Sequence, residues 1–143
     1  MNIRPIDDRI AVAPQIQPDD VAQLAAQGFT AIVNNRPDGE DAGQPSGDVI
    51  RAAAEQAGLT YTAIPITHAG FSLPQVDAMQ AALDASEGRV LAYCRSGTRS
   101  CNLWALSAAK AGDDAEEIVS KGEAAGYDLT GIRPLLDQLA AAR

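Results

Sequence analysis

Apolar residues along this chain fall into short unbroken runs and longer stretches with helical spacing. "RIAVAP" (Arg9–Pro14), "FTAIVNNR" (Phe29–Arg36), "LTYTAIPI" (Leu59–Ile66) and "RVLAYC" (Arg89–Cys94) read as strands. After Arg89 the last of these shows no apolar–polar alternation, the pattern of a strand buried on both faces of a parallel sheet. Between the strands, "QPDDVAQLAAQG" carries proline and acids in a first turn, apolar residues at helical spacing and a stop at Gly28. "DVIRAAAEQAG" is a second helix, closed by Gly58, and "LPQVDAMQAALDAS" a third. The third follows Ser72, which forms a capping box with Gln75 three residues on. Beyond the last strand the pattern stays helical, through "SCNLWALSAAKAG", "DDAEEIVSKGEAAG" and, after the "YDL" turn, "TGIRPLLDQLAAAR". Strand–helix alternation followed by helices predicts a single α/β domain over residues 1–143. Its centre is a mainly parallel sheet of about four to five strands with helices on both faces. The longest connection, "PDGEDAGQPSG", is of the kind that often carries function.

Composition narrows the picture. A chain of 143 residues with 46% hydrophobic residues suits one domain with one ordinary core. A net charge of −8 argues against binding to nucleic acid or an anionic membrane, whose phosphates attract basic faces. The first ten residues lack the apolar region of a signal peptide, and no apolar run approaches a membrane span. A cytoplasmic location is expected. Two cysteines, Cys94 and Cys101, give no disulfide framework, and with the sole histidine, His68, they lack structural-zinc spacing. No metal and no cofactor are expected.

The chemistry concentrates in "YCRSGTRS". Cys94 ends a strand just before a helix, and ligands of open α/β sheets bind beyond the carboxyl ends of the strands. Amides of Arg95, Ser96, Gly97, Thr98, Arg99 and Ser100, together with the positive end of the helix, predict an anion-binding nest. The same surroundings, with Arg95 and Arg99, lower a thiol's pKa. Gly97 lets the backbone turn tightly. Ser100 is placed to donate to the sulfur and stabilise it as a leaving group. The plain alternative, Cys94 as a small buried hydrophobe, leaves the arginines, the glycine and the hydroxyls unexplained. Cys101, Leu103 and Trp104 read as core, with a resolving thiol the lesser role for Cys101.

Two further groups are candidates for the cleft. His68 sits in a turn at the same sheet end, either a proton donor or an exposed loop histidine without a role. Arg36, Asp38 and Glu40 leave the second strand at its carboxyl end. Arg36 would add positive charge and Asp38 an acid; equally, "RPDGED" is a turn in which Arg36 pairs with Glu40 or Asp41. The acids of "DDAEEI" complement a helix dipole.

"VLAYCRSGTRS", with "VNNRPDGED" upstream, resembles the bacterial beta-lactamase-hydrolase-like, phosphatase-like domain family over roughly Ile3 to Leu106. The resemblance implies a dual-specificity-phosphatase-like fold. Its loop is also similar to the "CRSG-x-R" loop of rhodaneses, and the family has been classed with sulfur transferases. Against the phosphatase pattern, the loop has four residues between Cys94 and Arg99, one fewer than in those enzymes, and the smaller ring is expected to suit a sulfane sulfur or thiosulfonate better than a full phosphate. Tyr93 replaces their usual histidine. At the corresponding "IPITHAGF", Thr67 and His68 occupy the place of the aspartate that protonates the leaving oxygen. General acid catalysis is worth about 10²–10⁴-fold, whereas persulfide transfer needs no such acid.

The leading expectation is therefore a sulfurtransferase working through a Cys94 persulfide, with Arg99 and the loop holding a small anionic sulfur donor and a thiol protein as acceptor. The alternative is a phosphomonoesterase with a Cys94 phosphocysteine, a phosphoester substrate, and His68 or Asp38 as acid. A third reading is a non-catalytic module that binds an anion or a partner.

Overall fold

The computed structural model describes residues 1–142. Its strands are β1 (Arg4–Pro5), β2 (Ile10–Ala13), β3 (Phe29–Asn34), β4 (Thr60–Ala63) and β5 (Arg89–Tyr93). They form one sheet in the order β1-β2-β5-β3-β4, parallel throughout except for β1, which pairs antiparallel with β2. The predicted parallel strands are all present. The added strand is β1, two residues long and ending in proline, which suits a sheet edge where one face of the backbone needs no partner.

The helices are α1 (Asp20–Ala26), α2 (Gly47–Gln56), α3 (Leu73–Ala85), α4 (Thr98–Ala111), α5 (Ala115–Ala124) and α6 (Arg133–Ala141). Ser72 and Gln75 form the expected capping box at α3. Ser46 caps α2 by accepting from the amide of Val49, and Asp114 caps α5 from Glu117. The sheet divides two apolar layers. Ala11, Ala13, Ile32, Leu91 and Tyr93 face Val21, Leu24, Ile50 and Ala54 of α1 and α2. Val12, Val33, Val90 and Ala92 face the other side, with Met79, Leu103, Trp104, Ile118 and Leu136 of α3 to α6. Successive residues of β5 thus enter opposite cores, which explains why its sequence carries no alternation.

Helix α4 is the centre of the larger layer and buries nine of its side chains, Cys101, Leu103 and Trp104 among them. It begins at Thr98, two residues earlier than the sequence pattern indicates. Its first turn therefore lies directly above the carboxyl end of β5, and β5, β3 and β2 set the rim of the site.

Candidate active site

Parallel pairing of β3 with β5 places Asn34 opposite Tyr93, so the residues that follow leave the sheet side by side. The Asn35 amide donates to the Tyr93 carbonyl at 2.8 Å, extending the ladder one step. On the other side the Cys94 amide donates to Ala13, and the Gln15 amide to the Arg95 carbonyl, at 3.4 and 3.3 Å. Cys94 is held between two neighbours before the chain turns.

At Gly97 the chain reverses with φ +93°, in the left-handed region. This aims the Gly97 N–H at Cys94 Sγ, 3.1 Å away. Ser96 Oγ donates to Thr98 Oγ1 and accepts from the Thr98 amide. Cys101 N donates to Gly97 O at 2.9 Å. The amides of Arg95, Ser96, Arg99 and Ser100 have no acceptor among the described residues. The result is a loop with unclaimed donors and a cysteine at its base, Cys94 itself being wholly buried. From outside the sheet, Tyr127 donates to the Ser96 carbonyl at 3.0 Å and walls the loop at Gly97.

Arg99 projects from the first turn of α4 and meets Glu40 in a bidentate pair, with both contacts at 2.8 Å. Its Nη1 also donates to the Ile66 carbonyl at 2.9 Å. Glu40, and behind it the charge of Cys94, raise the Arg99 pKa beyond its ordinary value. In turn the Arg99 hydrogen bonds, opposed by partial burial and backed by Arg36, hold Glu40 down from 4.5 to about 2. Because the folded value is depressed, Glu40 adds stability that is complete above about pH 4.5 and is lost as pH falls toward 2. Urea midpoints of wild type and Glu40→Gln are therefore expected to differ more at about pH 6 than at about pH 3. An equal gap at both would show that the pair contributes no pH-dependent stability.

Arg36 takes the turn-holding role. It is buried, and Nε, Nη1 and Nη2 donate to Glu40, Gln15 and Asp41 at 2.9, 3.0 and 2.8 Å. It clamps "RPDGED" over the site and is not a free cation. Asp38 does not offer an acid to the loop, because its Oδ1 accepts from the Gly47 amide at 2.8 Å and fixes the start of α2. Ser100 also departs from the sequence expectation. Its buried hydroxyl donates to Asn35 Oδ1 at 2.8 Å, not to the sulfur. Asn35 in turn donates to the Ile64 carbonyl, tying α4 to the end of β4. His68 is exposed in the Thr67–Gly70 turn, two residues beyond the Ile66 carbonyl that Arg99 grips, and makes no side-chain hydrogen bond among the described residues. Arg95 is exposed at the rim, 3.7 Å from Asp41.

Cys101 is core, and burial pushes its thiol up to about 12, which removes it as a resolving nucleophile. Tyr93 lies in the α1–α2 layer, and desolvation drives its hydroxyl well above the ordinary range. Sequence reasoning missed Gln15, Asn35 and Tyr127. For Asn35 a signal existed: a buried strand ending in two asparagines needs partners for their amides. Among the described residues no three His, Cys, Asp or Glu side chains gather as a metal site. No described helix is long and apolar enough to cross a membrane.

A mostly parallel five-stranded sheet with a cysteine-bearing loop between its central strand and central helix has the dual-specificity-phosphatase-like fold. Within it, the family described as beta-lactamase hydrolase-like protein, phosphatase-like domain, matches residues 2–111, and the chain belongs to that family. A Xylella fastidiosa beta-lactamase hydrolase-like protein is 38% identical over 130 residues, covering 90% of this chain and 30% of that one. The chain thus spans about a third of the length of the curated relatives it matches. A crystal structure of a candidate phosphatase from Neisseria meningitidis is 34% identical and superimposes with a TM-score of 0.84, covering 97% of this chain and 99% of that one. TpbA of P. aeruginosa, solved with phosphotyrosine bound, shares the fold at 18% identity and a TM-score of 0.67, over 99% and 89% of the two chains.

Proposed function

We propose that this domain is a cysteine-dependent phosphomonoesterase. Cys94 Sγ attacks the phosphorus of a phosphoester, the S–P bond forming as the bond to the leaving oxygen breaks. The open amides of Arg95, Ser96, Arg99 and Ser100 receive the non-bridging oxygens, and the Arg99 guanidinium, held in place on Glu40 and the Ile66 carbonyl, adds positive charge beside them. Donors already fixed by the fold need no reorganisation as charge develops there. Water then hydrolyses the phosphocysteine to inorganic phosphate and free thiolate.

One observation carries this reading: a ring of unclaimed amides around a basal cysteine, with an arginine beside it, in a chain of a phosphatase-like family. It displaces sulfur transfer as the leading reading. Counting residues to Arg99 suggested too small a ring for phosphate. Yet Arg99 reaches the site from within α4, where side-chain length as well as loop length sets its distance. Persulfide transfer through Cys94, from an anionic donor to a thiol protein, stays as the second reading because among the described residues the carboxyls of Asp38, Glu40 and Asp41 are all committed to other partners.

Intact-protein mass spectrometry separates the two. Acid-quenched turnover of p-nitrophenyl phosphate is expected to trap one phosphoryl group on the wild type, and vanadate is expected to block both turnover and adduct. A one-sulfur gain from thiosulfate without any phosphoryl adduct would overturn the phosphatase in favour of sulfur transfer.

A further inference from the structure

The phosphoester has a leaving group, and the groups above the loop limit what that can be. Breaking a bond to an ordinary alkyl oxygen requires a proton on that oxygen as it departs, because an alkoxide is too basic to leave unaided. The donor must be protonated at working pH and free to approach. Each carboxyl near the loop fails this. Glu40 has both oxygens on guanidinium groups, Oε1 on Arg99 and Arg36 and Oε2 on Arg99. Asp41 accepts from Arg36 at 2.8 Å and faces Arg95. Asp38 holds the first amide of α2. Asp128, next to the Tyr127 that braces the loop, accepts from the amide and hydroxyl of Thr130 at 2.9 and 2.6 Å. Protonating Glu40 or Asp128 would sacrifice bonds that already favour the ionised form, while Asp38 and Asp41 are turned to Gly47 and Arg36 and not to the open amides of the loop.

Non-carboxyl donors are equally limited. The Tyr127 hydroxyl already gives its proton to the Ser96 carbonyl, and the Ser100 hydroxyl gives its own to Asn35. Residues 67–71, which border Arg99 through Ile66, contain no acid other than His68. That side chain is exposed, and no contact fixes it over the loop. The rim carries instead a cation that can face an oxyanion: the Arg95 side chain is 67% exposed and only loosely paired.

We infer that the site takes phosphate carried on an acidic leaving group, an acyl phosphate or an aryl phosphate as activated as the p-nitrophenyl ester, and releases that group as an anion without a proton from the protein. The inference rests on the phosphomonoesterase reading. As Sγ bonds to phosphorus, the electron pair of the breaking P–O bond leaves on the departing oxygen, at a rim that carries the exposed Arg95. The proton it later acquires comes from solvent. Alkyl esters such as phosphoserine or glycerol phosphate are excluded by chemistry, not by shape.

The test is kcat/KM, which reports the steps through S–P bond formation, across phenyl phosphates from p-nitrophenyl to unsubstituted phenyl, with acetyl phosphate and glycerol phosphate. A steep fall with leaving-group pKa is expected. Acetyl and p-nitrophenyl phosphate should head the series, and phenyl and glycerol phosphate should lie about 10²–10⁴-fold below. Turnover of phenyl or glycerol phosphate within about tenfold of p-nitrophenyl phosphate would overturn the inference while leaving the phosphatase standing. His68→Asn is expected to leave the whole series unchanged. A loss confined to the basic leaving groups would identify His68 as proton donor and overturn it too. If no member is turned over, the phosphatase reading itself falls, and this inference with it.

Discussion

Cys94→Ser is expected to remove p-nitrophenyl phosphate hydrolysis by about 10³-fold or more while leaving the fold intact. The two halves of that expectation have different physical sources. Activity disappears because the hydroxyl is a far weaker nucleophile than a thiolate near neutral pH, and no base stands beside it to take its proton. Glu40 is turned to Arg99, and Asp38 to α2. Stability persists because serine is nearly isosteric, and the buried oxygen it places at the base of the loop inherits the Gly97 N–H that now meets the sulfur. The paired measurement is the rate with thermal denaturation of the same samples. Residual hydrolysis within tenfold of wild type at an unchanged Tm would mean that the nucleophile lies elsewhere. If the wild type shows no covalent adduct and both proteins bind phosphate equally, the loop is a binding module.

How much of this was legible beforehand depends on the range of the interaction. The strand–loop–helix unit at Cys94 was readable because everything that makes it is local: an apolar run, a glycine where the chain must turn, and a helical pattern directly after. The assignment of Ser100 to the sulfur failed because chain position fixes where a hydroxyl starts but not where it points. Asn35, 65 residues away in sequence, offers a better acceptor. Arg36 could be read either way, since its carboxylates lie within the same short loop; only packing shows that Nε and Nη2 are taken there and Nη1 by Gln15 beyond β2. Tyr127 was invisible, sitting in a turn beyond α5 whose contact with Ser96 depends on how α5 packs back onto α4. Strand β1 escaped because a two-residue strand has no periodicity to detect. The preference for sulfur chemistry came partly from the absent acid at Thr67 and His68, which the structure leaves as it was, and partly from counting residues in the loop, a one-dimensional measure of a three-dimensional ring.

That ring makes Gly97→Ala the most informative structural change. At φ +93° an alanine is strained by about 1–3 kcal/mol wherever it sits. Here its Cβ would also run into the Tyr127 hydroxyl, lie 2.9 Å from the ring carbon that bears it, and touch the Ala13 backbone at 3.4 Å. Two relaxations are open. Tyr127 can withdraw, giving up its bond to the Ser96 carbonyl, or the loop can rotate and take the Gly97 N–H off the sulfur. The first costs stability; the second also dismantles the cradle. Both are expected, with Tm lowered and hydrolysis reduced about 10²-fold or more, since one well-placed oxyanion donor is worth that much. Tyr127→Phe separates them: alone it should cost about 1 kcal/mol for the lost hydrogen bond. Combined with Gly97→Ala it should cost less than the sum, because the hydroxyl is the atom in the way. Strict additivity would show that the clash plays no part and that backbone strain alone destabilises the loop. Stability regained in the double variant without activity would locate the remaining defect in the aim of the loop amides, since the tyrosine's obstruction has been relieved while the left-handed turn at position 97 is still denied.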